Sequence, residues 1–317
     1  MLRMVRKIAI VLLLVCGGVL LWGNGIEPRW IEETRHQVRI AELPAAWQGA
    51  TVAFLADLQV GMFLDNEGTI RQMVERVAHE RPALVLIGGD FVYHPTEDDT
   101  RVKAREEFEA EDTARVRALI EDVVEMVRPL AEASIPSYAV FGNHDYAMQT
   151  KEALKLAWVA AELAQALEAA GIQVLHNEAA VLKRPGAAGG RDQPLYLAGI
   201  GAHYPDEDRV QKALAAIPEG APRLVLMHNP QSFAHIPAGA APLAVAGHTH
   251  GGQVRIPYLP TWSWISIVRE GEIHADGWIQ GFGAPGNRLY VNRGIGFSLV
   301  PLRINCRPEL TFFTLVK

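Results

Sequence analysis

Short apolar runs alternate with amphipathic segments along most of the chain. The apolar runs end at glycine, proline or polar residues, which is typical of buried strands. They predict strands at residues 38–43, 51–56, 83–87, 172–175, 179–183, 195–200, 223–227, 243–246, 288–292 and 310–316. Segments with apolar residues at every third or fourth position predict helices at residues 66–80, 113–133 and 152–170. The alternation favours an α/β fold, with one domain built from two βα halves.

Two stretches interrupt this alternation. Residues 94–111 are strongly charged and predict a solvated insertion, with a substrate lid as the alternative. Residues 185–193 are rich in glycine and predict a hairpin loop. No internal repeat or clear linker divides the chain, so we expect a single catalytic domain over residues 36–317.

The N-terminus has the pattern of a membrane segment. Arg3, Arg6 and Lys7 precede an apolar run at residues 8–22, and no clear cleavage site follows. Residues 1–30 are therefore interpreted as an uncleaved signal anchor, with a cleaved signal peptide and a buried helix of a soluble protein as alternatives. Because the basic end of such a segment stays in the cytoplasm, we expect a single-pass protein of the cell membrane with its domain on the non-cytoplasmic side.

Composition excludes several classes of protein. About half of the 317 residues are hydrophobic (49%), which is enough for a sizeable core. The net charge of −6 argues against a general nucleic-acid-binding protein, which would carry a basic face. Cys16 and Cys306 are too few and too far apart in the sequence to indicate a disulfide framework. The composition gives no indication of a protein partner.

Five clusters of metal-ligating residue types occur in one order along the chain. They are Asp57 and Gln59, then Asp90, then Asn143, His144 and Asp145, then His228, and finally His248 and His250. Four of the five follow an apolar run, and ligands at the ends of parallel strands converge on one edge of a sheet. Each cluster alone is weak evidence, since a turn aspartate or a core histidine explains it. Their joint order indicates a two-metal centre, and two metals point first to phosphoryl chemistry.

The ordered clusters resemble the signature of the calcineurin-like metallophosphoesterases, which reads Asp-x-His, Gly-Asp, Gly-Asn-His-Asp/Glu, His and Gly-His-x-His. Residues 247–254 read Gly-His-Thr-His-Gly-Gly-Gln-Val, as in a membrane-anchored bacterial branch of that family. The closing pattern of the branch is similar to residues 290–296 and 301–303. The resemblance covers residues 39–317 and implies a four-layer α-β-β-α sandwich after an N-terminal membrane anchor.

The resemblance also implies a role for each motif position. Asp90 would bridge two divalent metal ions, with a bridging hydroxide as the nucleophile. The other six candidate ligands would divide between the metals, with Asp57, Gln59 and His250 at the first and Asn143, His228 and His248 at the second. His144 would protonate the leaving oxygen or stabilise the transition state, and Asp145 is a candidate to orient it.

Gln59 departs from the family signature, which has histidine at this position. An amide oxygen is a harder and weaker ligand than imidazole, so Gln59 favours manganese over zinc, with iron and magnesium as further alternatives. One subset of the superfamily, similar to manganese-dependent ADP-ribose and CDP-alcohol diphosphatases, also has glutamine here. We therefore expect a working site, with loss of activity as the alternative.

The resemblance implies hydrolysis of a phosphodiester or diphosphate bond in a phosphorylated small molecule or lipid, either lipid-linked or a nucleotide diphosphate. Similarity to UDP-2,3-diacylglucosamine diphosphatases makes a lipid A precursor a candidate. The predicted topology counts against it, because such precursors are handled at the cytoplasmic face. Two alternatives remain open: a non-catalytic protein that retains the fold and binds a phosphorylated ligand, and a phosphomonoesterase.

Four further residues and one segment have two interpretations each. His94 and His203 either contact a phosphate or lie in loops without a role. Arg293 and Arg303 either bind a second phosphate or form structural pairs. The aromatic stretch at residues 258–265 is either a packed cap over the core or a wall that contacts acyl chains or the membrane.

Overall fold

The computed structural model describes residues 2–317 except 63, 65, 94–109, 152, 154, 185–193, 259–261, 264–275 and 299. The predicted hairpin loop at residues 185–193 and His94 lie outside the described residues. So do nearly all of the predicted insertion at 94–111 and most of the aromatic stretch at 258–265.

Five helices form among the described residues: α1 (Leu2–Leu21), α2 (Glu67–Glu80), α3 (Ala110–Glu132), α4 (Ala157–Ala169) and α5 (Val210–Leu214). The predicted helices at 66–80 and 113–133 correspond closely to α2 and α3. Helix α4 begins at Ala157 rather than at residue 152, because the backbone of Leu156 is not helical and its N–H donates to the Tyr146 carbonyl (2.8 Å). Helix α5 was not predicted, since five residues are too few to show a helical period.

The described strands form two six-stranded sheets. The first has the order β1-β12-β2-β3-β4-β5 and the second the order β10-β11-β9-β8-β7-β6. Their bounds are β1 (Glu32–Arg39), β2 (Thr51–Leu55), β3 (Leu84–Ile87), β4 (Ser137–Ala139), β5 (Ile172–Val174), β6 (Glu178–Leu182), β7 (Leu195–Gly199), β8 (Arg223–Leu226), β9 (Ala244–Ala246), β10 (Gly277–Ile279), β11 (Leu289–Val291) and β12 (Glu309–Val316). Strands β2 to β5 are parallel to one another, as are β7, β8, β9 and β11.

Successive side chains of a strand point to opposite faces, and this period of two builds the layers. In β2, Val52 and Phe54 face the second sheet, whereas Ala53 and Leu55 face the core under α2, α3 and α4. Helix α5 packs through Val210 on the outer face of the second sheet. The order of layers is helices, sheet, sheet, helix, so the predicted α/β four-layer fold is confirmed.

The first predicted strand, at residues 38–43, is placed wrongly by its apolar pattern. Strand β1 lies earlier, at Glu32–Arg39, and most of its side chains are exposed or half-buried. It pairs in parallel with β12 at the edge of the first sheet, where one side of the strand faces solvent. A strand in that position needs no apolar run, and its polar sequence therefore hid it.

Helix α1 stands apart from the domain. None of its described side chains is buried, so of the three interpretations the buried helix of a soluble protein is wrong. It continues through a π turn (Trp22–Ile26) and a 3-10 turn (Glu27–Arg29) into β1. The apolar stretch Leu2–Arg29 is long and hydrophobic enough to cross a membrane.

Candidate metal centre

The candidate ligands lie where the central strands of both sheets end. Asp57 follows β2, Asp90 follows β3, and His228 follows β8, each after one or two intervening residues. His248 follows β9 in the same way. Asn143 stands slightly further from its strand, β4. The carboxyl ends of the two sheets therefore meet at one edge, as expected for a site in an open α/β fold.

Glycines allow these loops to approach one another closely. A Cβ atom at Gly142 would lie 2.6 Å from His228 Nε2 and closer still to the Asp90 carboxylate. A Cβ at Gly247 would lie 2.5 Å from Asp57 Oδ2. Any side chain at these two positions would displace the candidate ligands, so the motif glycines are required by contact distance.

The ligand backbone is strained at most of these positions. Five candidate ligands have positive φ angles: Asp57 (55°), Gln59 (55°), Asp90 (54°), His248 (73°) and His250 (49°). Residues other than glycine adopt this left-handed region rarely and at an energetic cost. Such strain concentrates at functional sites, where it aims side chains that a regular strand would point elsewhere.

Two groups of three side chains share Asp90. In one group Asp90 meets His228 and His248, and in the other it meets Asp57 and His250. Within each group the ligand atoms lie within 4.8 Å of one another, and all the residues are buried. A shared carboxylate between two groups of ligands is the arrangement that a dinuclear centre requires.

Several buried polar atoms here have no hydrogen-bond partner among the described residues. Gln59 Nε2 donates to Asp90 Oδ2 (3.0 Å), which leaves Gln59 Oε1 unpaired. Asn143 Nδ2 donates to the Met148 carbonyl (2.6 Å), which leaves Asn143 Oδ1 unpaired. His250 Nδ1 is unpaired as well. Because a buried polar atom without a partner is costly, these atoms fit a site that binds metal ions.

A backbone carbonyl fixes the tautomer of His228. Its Nδ1 lies 2.7 Å from the Gly88 carbonyl, so Nδ1 carries a proton and donates it there. Nε2 then faces Asp90 Oδ2 and His248 Nδ1, each at 3.2 Å. Histidine ligands of metals are held in the same way, with the second ring nitrogen bound to a carbonyl or carboxylate.

Burial and mutual charge shift the pKa values of the cluster in opposite directions. Burial raises the pKa of Asp57 to about 7, with the Asp90 charge adding to it and the His228 charge opposing it. Burial alone would lower the pKa of His228, but Asp90 outweighs it and raises that pKa to about 9. Burial and the Arg303 guanidinium keep the pKa of His250 well below its usual range. Without metal, therefore, Asp57 and His228 keep their protons to a higher pH than usual, and cations binding there would displace these protons.

Asp145 takes a different place from the expected one. Its carboxylate accepts backbone N–H groups of Asp90 (2.9 Å), Phe91 (2.8 Å) and Gly142 (2.9 Å). The ring of His144 is held instead by the Tyr93 carbonyl, 2.6 Å from Nδ1. The expectation that Asp145 orients His144 is thus corrected: Asp145 binds the two loops that carry Asp90 and Asn143.

The structure decides between the alternatives for both arginines. Arg303 is fully buried and donates to the carbonyls of Arg293 (2.9 Å) and Gly294 (3.2 Å). Arg293 pairs with Glu309 (3.0 Å) and with Glu32 (3.3 Å). Both guanidinium groups are therefore structural, and neither is placed to bind a second phosphate.

His203 precedes a tyrosine that contacts the candidate ligand His248. His203 Nδ1 lies 2.8 Å from Asp208 Oδ2, and its ring is partly exposed. The Tyr204 ring packs edge-on against His248, with centroids 4.7 Å apart, and the ammonium of Lys151 lies over the same tyrosine ring, 5.0 Å from its centroid. Neither Tyr204 nor Lys151 could be selected from the sequence, since a single aromatic or basic residue in a loop has many ordinary explanations.

Comparisons with known proteins agree on one family. The calcineurin-like phosphoesterase family model matches residues 50–252. Phosphodiesterase YaeI of Escherichia coli (strain K12) is 32% identical over 293 residues, covering 92% of this chain and 90% of that protein. A transmembrane protein with metallophosphoesterase domain of Danio rerio is 26% identical, covering 87% of this chain and 55% of that protein. UDP-2,3-diacylglucosamine pyrophosphatase LpxG of Chlamydia trachomatis serovar D is 20% identical, covering 87% of this chain and 86% of that protein.

Proposed function

The chain belongs to the calcineurin-like phosphoesterase family and is a hydrolase, and we propose that it cleaves a phosphodiester or diphosphate bond at a dinuclear metal centre. The observation that carries this proposal is the pair of ligand groups that share Asp90. The unpaired oxygens of Gln59 and Asn143 support it, because Gln59 donates to Asp90 and Asn143 directly precedes His144, whose N–H also donates to Asp90.

The side chains would divide between the two metals. Asp90 would contact both, while the other six ligands would bind one each: Asp57, Gln59 and His250 the first, and Asn143, His228 and His248 the second. Divalent cations bound there would polarise the phosphoryl oxygens and supply a water of lowered pKa. The chain's own contribution is to hold these ligands in a buried cluster whose geometry is fixed before the substrate binds.

We assign proton transfer to His144. Its backbone N–H donates to Asp90 Oδ1 (2.9 Å), which ties it to the shared carboxylate. Its ring stacks on that of Tyr93, with centroids 5.4 Å apart. With Nδ1 held by the Tyr93 carbonyl, Nε2 is the ring atom that we assign to the departing oxygen. Asp145 acts as a positioning residue for the loops on either side.

The proposed substrate is lipid-linked or a nucleotide diphosphate. Two relatives support this class: one is named a phosphodiesterase and another a pyrophosphatase of a lipid-bearing nucleotide sugar. The exposed apolar helix α1 supports a membrane protein. We propose that α1 is an uncleaved single-pass anchor with the domain on the non-cytoplasmic side, and that manganese is the preferred metal.

The test uses the full chain in detergent, stripped of metal with a chelator and then supplied with manganese, iron, zinc or magnesium. We expect manganese to restore most hydrolysis of bis-p-nitrophenyl phosphate, with less turnover of the monoester p-nitrophenyl phosphate. His144→Ala should lose about 10²–10⁴-fold of the diesterase activity. Equal or better activation by zinc would contradict the metal preference. Faster monoester turnover would indicate a phosphomonoesterase, and no turnover with any metal would indicate a binding protein.

A further inference from the structure

The segment between α1 and β1 is bound tightly to the domain. We call residues 22–30 the neck and residues 300–306 the docking loop. The backbone N–H of Arg303 donates to the Gly23 carbonyl (2.7 Å), and Asn24 Nδ2 donates to the Pro301 carbonyl (2.6 Å). These bonds join residues far apart in sequence, so the neck is part of the folded domain and not a flexible linker.

A buried carboxylate completes this junction. Glu27 is only 2% exposed, and it accepts hydrogen bonds from Trp22 Nε1 (2.6 Å) and from the backbone N–H of Cys306. Contact at Gly23 is equally tight, since a Cβ there would lie 2.7 Å from Leu302 Cδ1. The direction in which α1 leaves the domain is therefore fixed.

The docking loop is in turn bound to the candidate metal centre. Gln253 Nε2 donates to the carbonyls of Val300 (2.8 Å) and Leu302 (3.0 Å). Cys306 Sγ donates to the carbonyl of the candidate ligand His250 (3.4 Å). One loop thus connects the neck to the segment that carries His250, and the metal centre cannot turn freely about the end of α1.

Exposed apolar side chains gather around the same junction. Among the described residues outside α1, eight large hydrophobic side chains are exposed. Two of them, Leu64 and Val181, belong to other segments of the chain. The other six, which we call the collar, belong to the neck, the docking loop or the segment that follows Gln253: Trp22, Ile26, Trp30, Ile256, Tyr258 and Val300. That last segment is joined to the docking loop, since the Arg255 N–H donates to the Ile304 carbonyl (2.9 Å).

The collar has the composition of a membrane interface. Its tryptophans and tyrosine are the residues that concentrate at the level of lipid headgroups. Arg307 lies over the Trp30 ring at 3.6 Å, and Arg29 also belongs to the neck. Basic residues in this position are attracted to anionic headgroups.

We propose that the collar is a lipid-contacting surface, which rests in the headgroup region of the same bilayer that α1 crosses. The 20 residues of α1 span about 30 Å as a helix, but its first turns carry Arg3, Arg6 and Lys7, so its apolar part is shorter than the hydrocarbon core of about 30 Å and draws the neck against the bilayer. Since the neck begins directly after Leu21 and is docked, the collar lies at the level where α1 leaves the hydrocarbon. The metal centre is then held beside the membrane surface. This inference rests on the proposed anchor, but not on the proposed reaction.

Two matched positions test the contact. Val300 in the collar and Val181 on β6 are almost equally exposed, at 46% and 45%. In a Cys16→Ser background of the full chain, V300C and V181C would each carry an environment-sensitive fluorophore. The labelled proteins are reconstituted in vesicles of phosphatidylethanolamine and phosphatidylglycerol that contain headgroup-level nitroxide lipids. We expect several-fold stronger quenching at position 300 than at position 181.

The outcomes separate the collar from the anchor. Equal quenching at both positions, in protein that floats with the vesicles after a carbonate wash, would overturn the collar and leave the anchor standing. Protein that does not float would overturn both. Y258C provides a second collar position, because Tyr258 is 99% exposed and its replacement disturbs no packing. Hydrolysis of bis-p-nitrophenyl phosphate by the same samples reports separately on the proposed reaction.

Discussion

Two buried polar clusters lie next to each other in this molecule and accommodate charge in opposite ways. One is the metal cluster, formed by the seven candidate ligands described above. The other, the Glu309 cluster, joins both sheets and consists of Thr34, Tyr290, Asn292, Arg293, Glu309 and Thr311. They are neighbours, since Gly294 connects Arg293 to the contact with Asp57.

In the Glu309 cluster every carboxylate oxygen is paired within the protein. Oε1 of Glu309 accepts from the Tyr290 and Thr34 (2.7 Å) hydroxyls, and Oε2 accepts from Arg293 Nε (3.0 Å). Although burial alone would raise the pKa of Glu309, Arg293 and these hydroxyl donors lower it. Both carboxylate oxygens of Glu309 therefore have partners within the protein, as expected of a structural cluster.

In the metal cluster, by contrast, some buried polar atoms have no hydrogen-bond partner among the described residues. Two of its amide oxygens are unpaired within the described structure, and burial raises the pKa of Asp57 to about 7. Natural proteins rarely leave buried acceptors unpaired beside like charges unless a ligand pairs them. Both clusters are buried and charged, so neither property separates a functional polar cluster from a structural one. The difference lies in the buried atoms that have no partner within the described structure.

The largest effect expected is on activity, from Asp90→Asn. The change removes the shared negative charge but keeps the shape of the side chain. A metal clamp is worth several kcal/mol, so kcat/KM on bis-p-nitrophenyl phosphate should fall by about 10²–10⁴-fold. The free energy of unfolding of the metal-free protein should fall as well, because Asp90 pairs with the buried His228. More than a tenth of the wild-type activity in the variant would remove Asp90 from the centre of the site.

The matching change in the other cluster, Glu309→Gln, should mainly reduce stability. It leaves the buried guanidinium of Arg293 with the half-exposed Glu32 as its remaining acid partner. Breaking a buried pair costs about 3–5 kcal/mol, and urea unfolding should show a loss toward the lower end. Activity per folded molecule should change only a few-fold. A variant as stable as the wild type would show that the two clusters do not differ as described.

These two clusters also show which features of the molecule could be predicted from the sequence. The ordered motifs at strand ends predicted which residues meet, because the ends of parallel strands converge whatever the details of the loops. The edge strand β1 was misplaced because its exposed side needs no apolar residues. The period of hydrophobic residues reports burial, and at an edge burial is only partial.

Contacts between side chains and groups that are distant in the sequence could not be predicted. Arg293 and Arg303 could equally well have bound phosphate, since their partners are a distant carboxylate and a set of backbone carbonyls. Asp145 was given the wrong partner for the same reason: its three strong hydrogen bonds come from backbone N–H groups, which no residue pattern reveals. The unpaired oxygens of Gln59 and Asn143 likewise became visible only in three dimensions.

The carboxyl groups of Asp57 and Glu309 should give the stability opposite dependences on pH. The folded pKa of Asp57 is raised to about 7, so its contribution to the stability of metal-free protein is full below its ordinary pKa of about 3.9 and is lost as pH rises to about 7. Asp57→Asn should therefore stabilise the metal-free protein at pH 8, by as much as about 4 kcal/mol at 1.4 kcal/mol per pKa unit. Asp145, with a pKa also raised to about 7 by burial, and His228, with a pKa raised to about 9, should keep part of the fall in stability with rising pH in that variant.

Glu309 provides the control, because its pKa shift has the opposite sign. The pKa of Glu309 is lowered by folding, so its contribution is full above the ordinary glutamate pKa of about 4.3 and is lost as pH falls through the lower folded value. Urea unfolding from pH 3 to pH 8 measures both slopes. Glu309→Gln should flatten the acid side alone, and a flattening of the neutral side by that change would contradict the assignment.

The smallest effect expected is the most specific to this chain, and it comes from Gln59→His. The Gln59 amide donates to Asp90 and directs an unpaired oxygen into the cluster. An imidazole there would replace a hard oxygen ligand with a nitrogen that suits zinc. The ratio of zinc-supported to manganese-supported activity should rise by about tenfold, the lower end of what a change around a metal site does to affinity.

Gln59→Ala is the control, because loss of the ligand should weaken the binding of both metals and leave the ratio nearly unchanged. If Gln59→His left the ratio where it stands in the wild type, Gln59 would not be a ligand, and its unpaired oxygen would need another explanation.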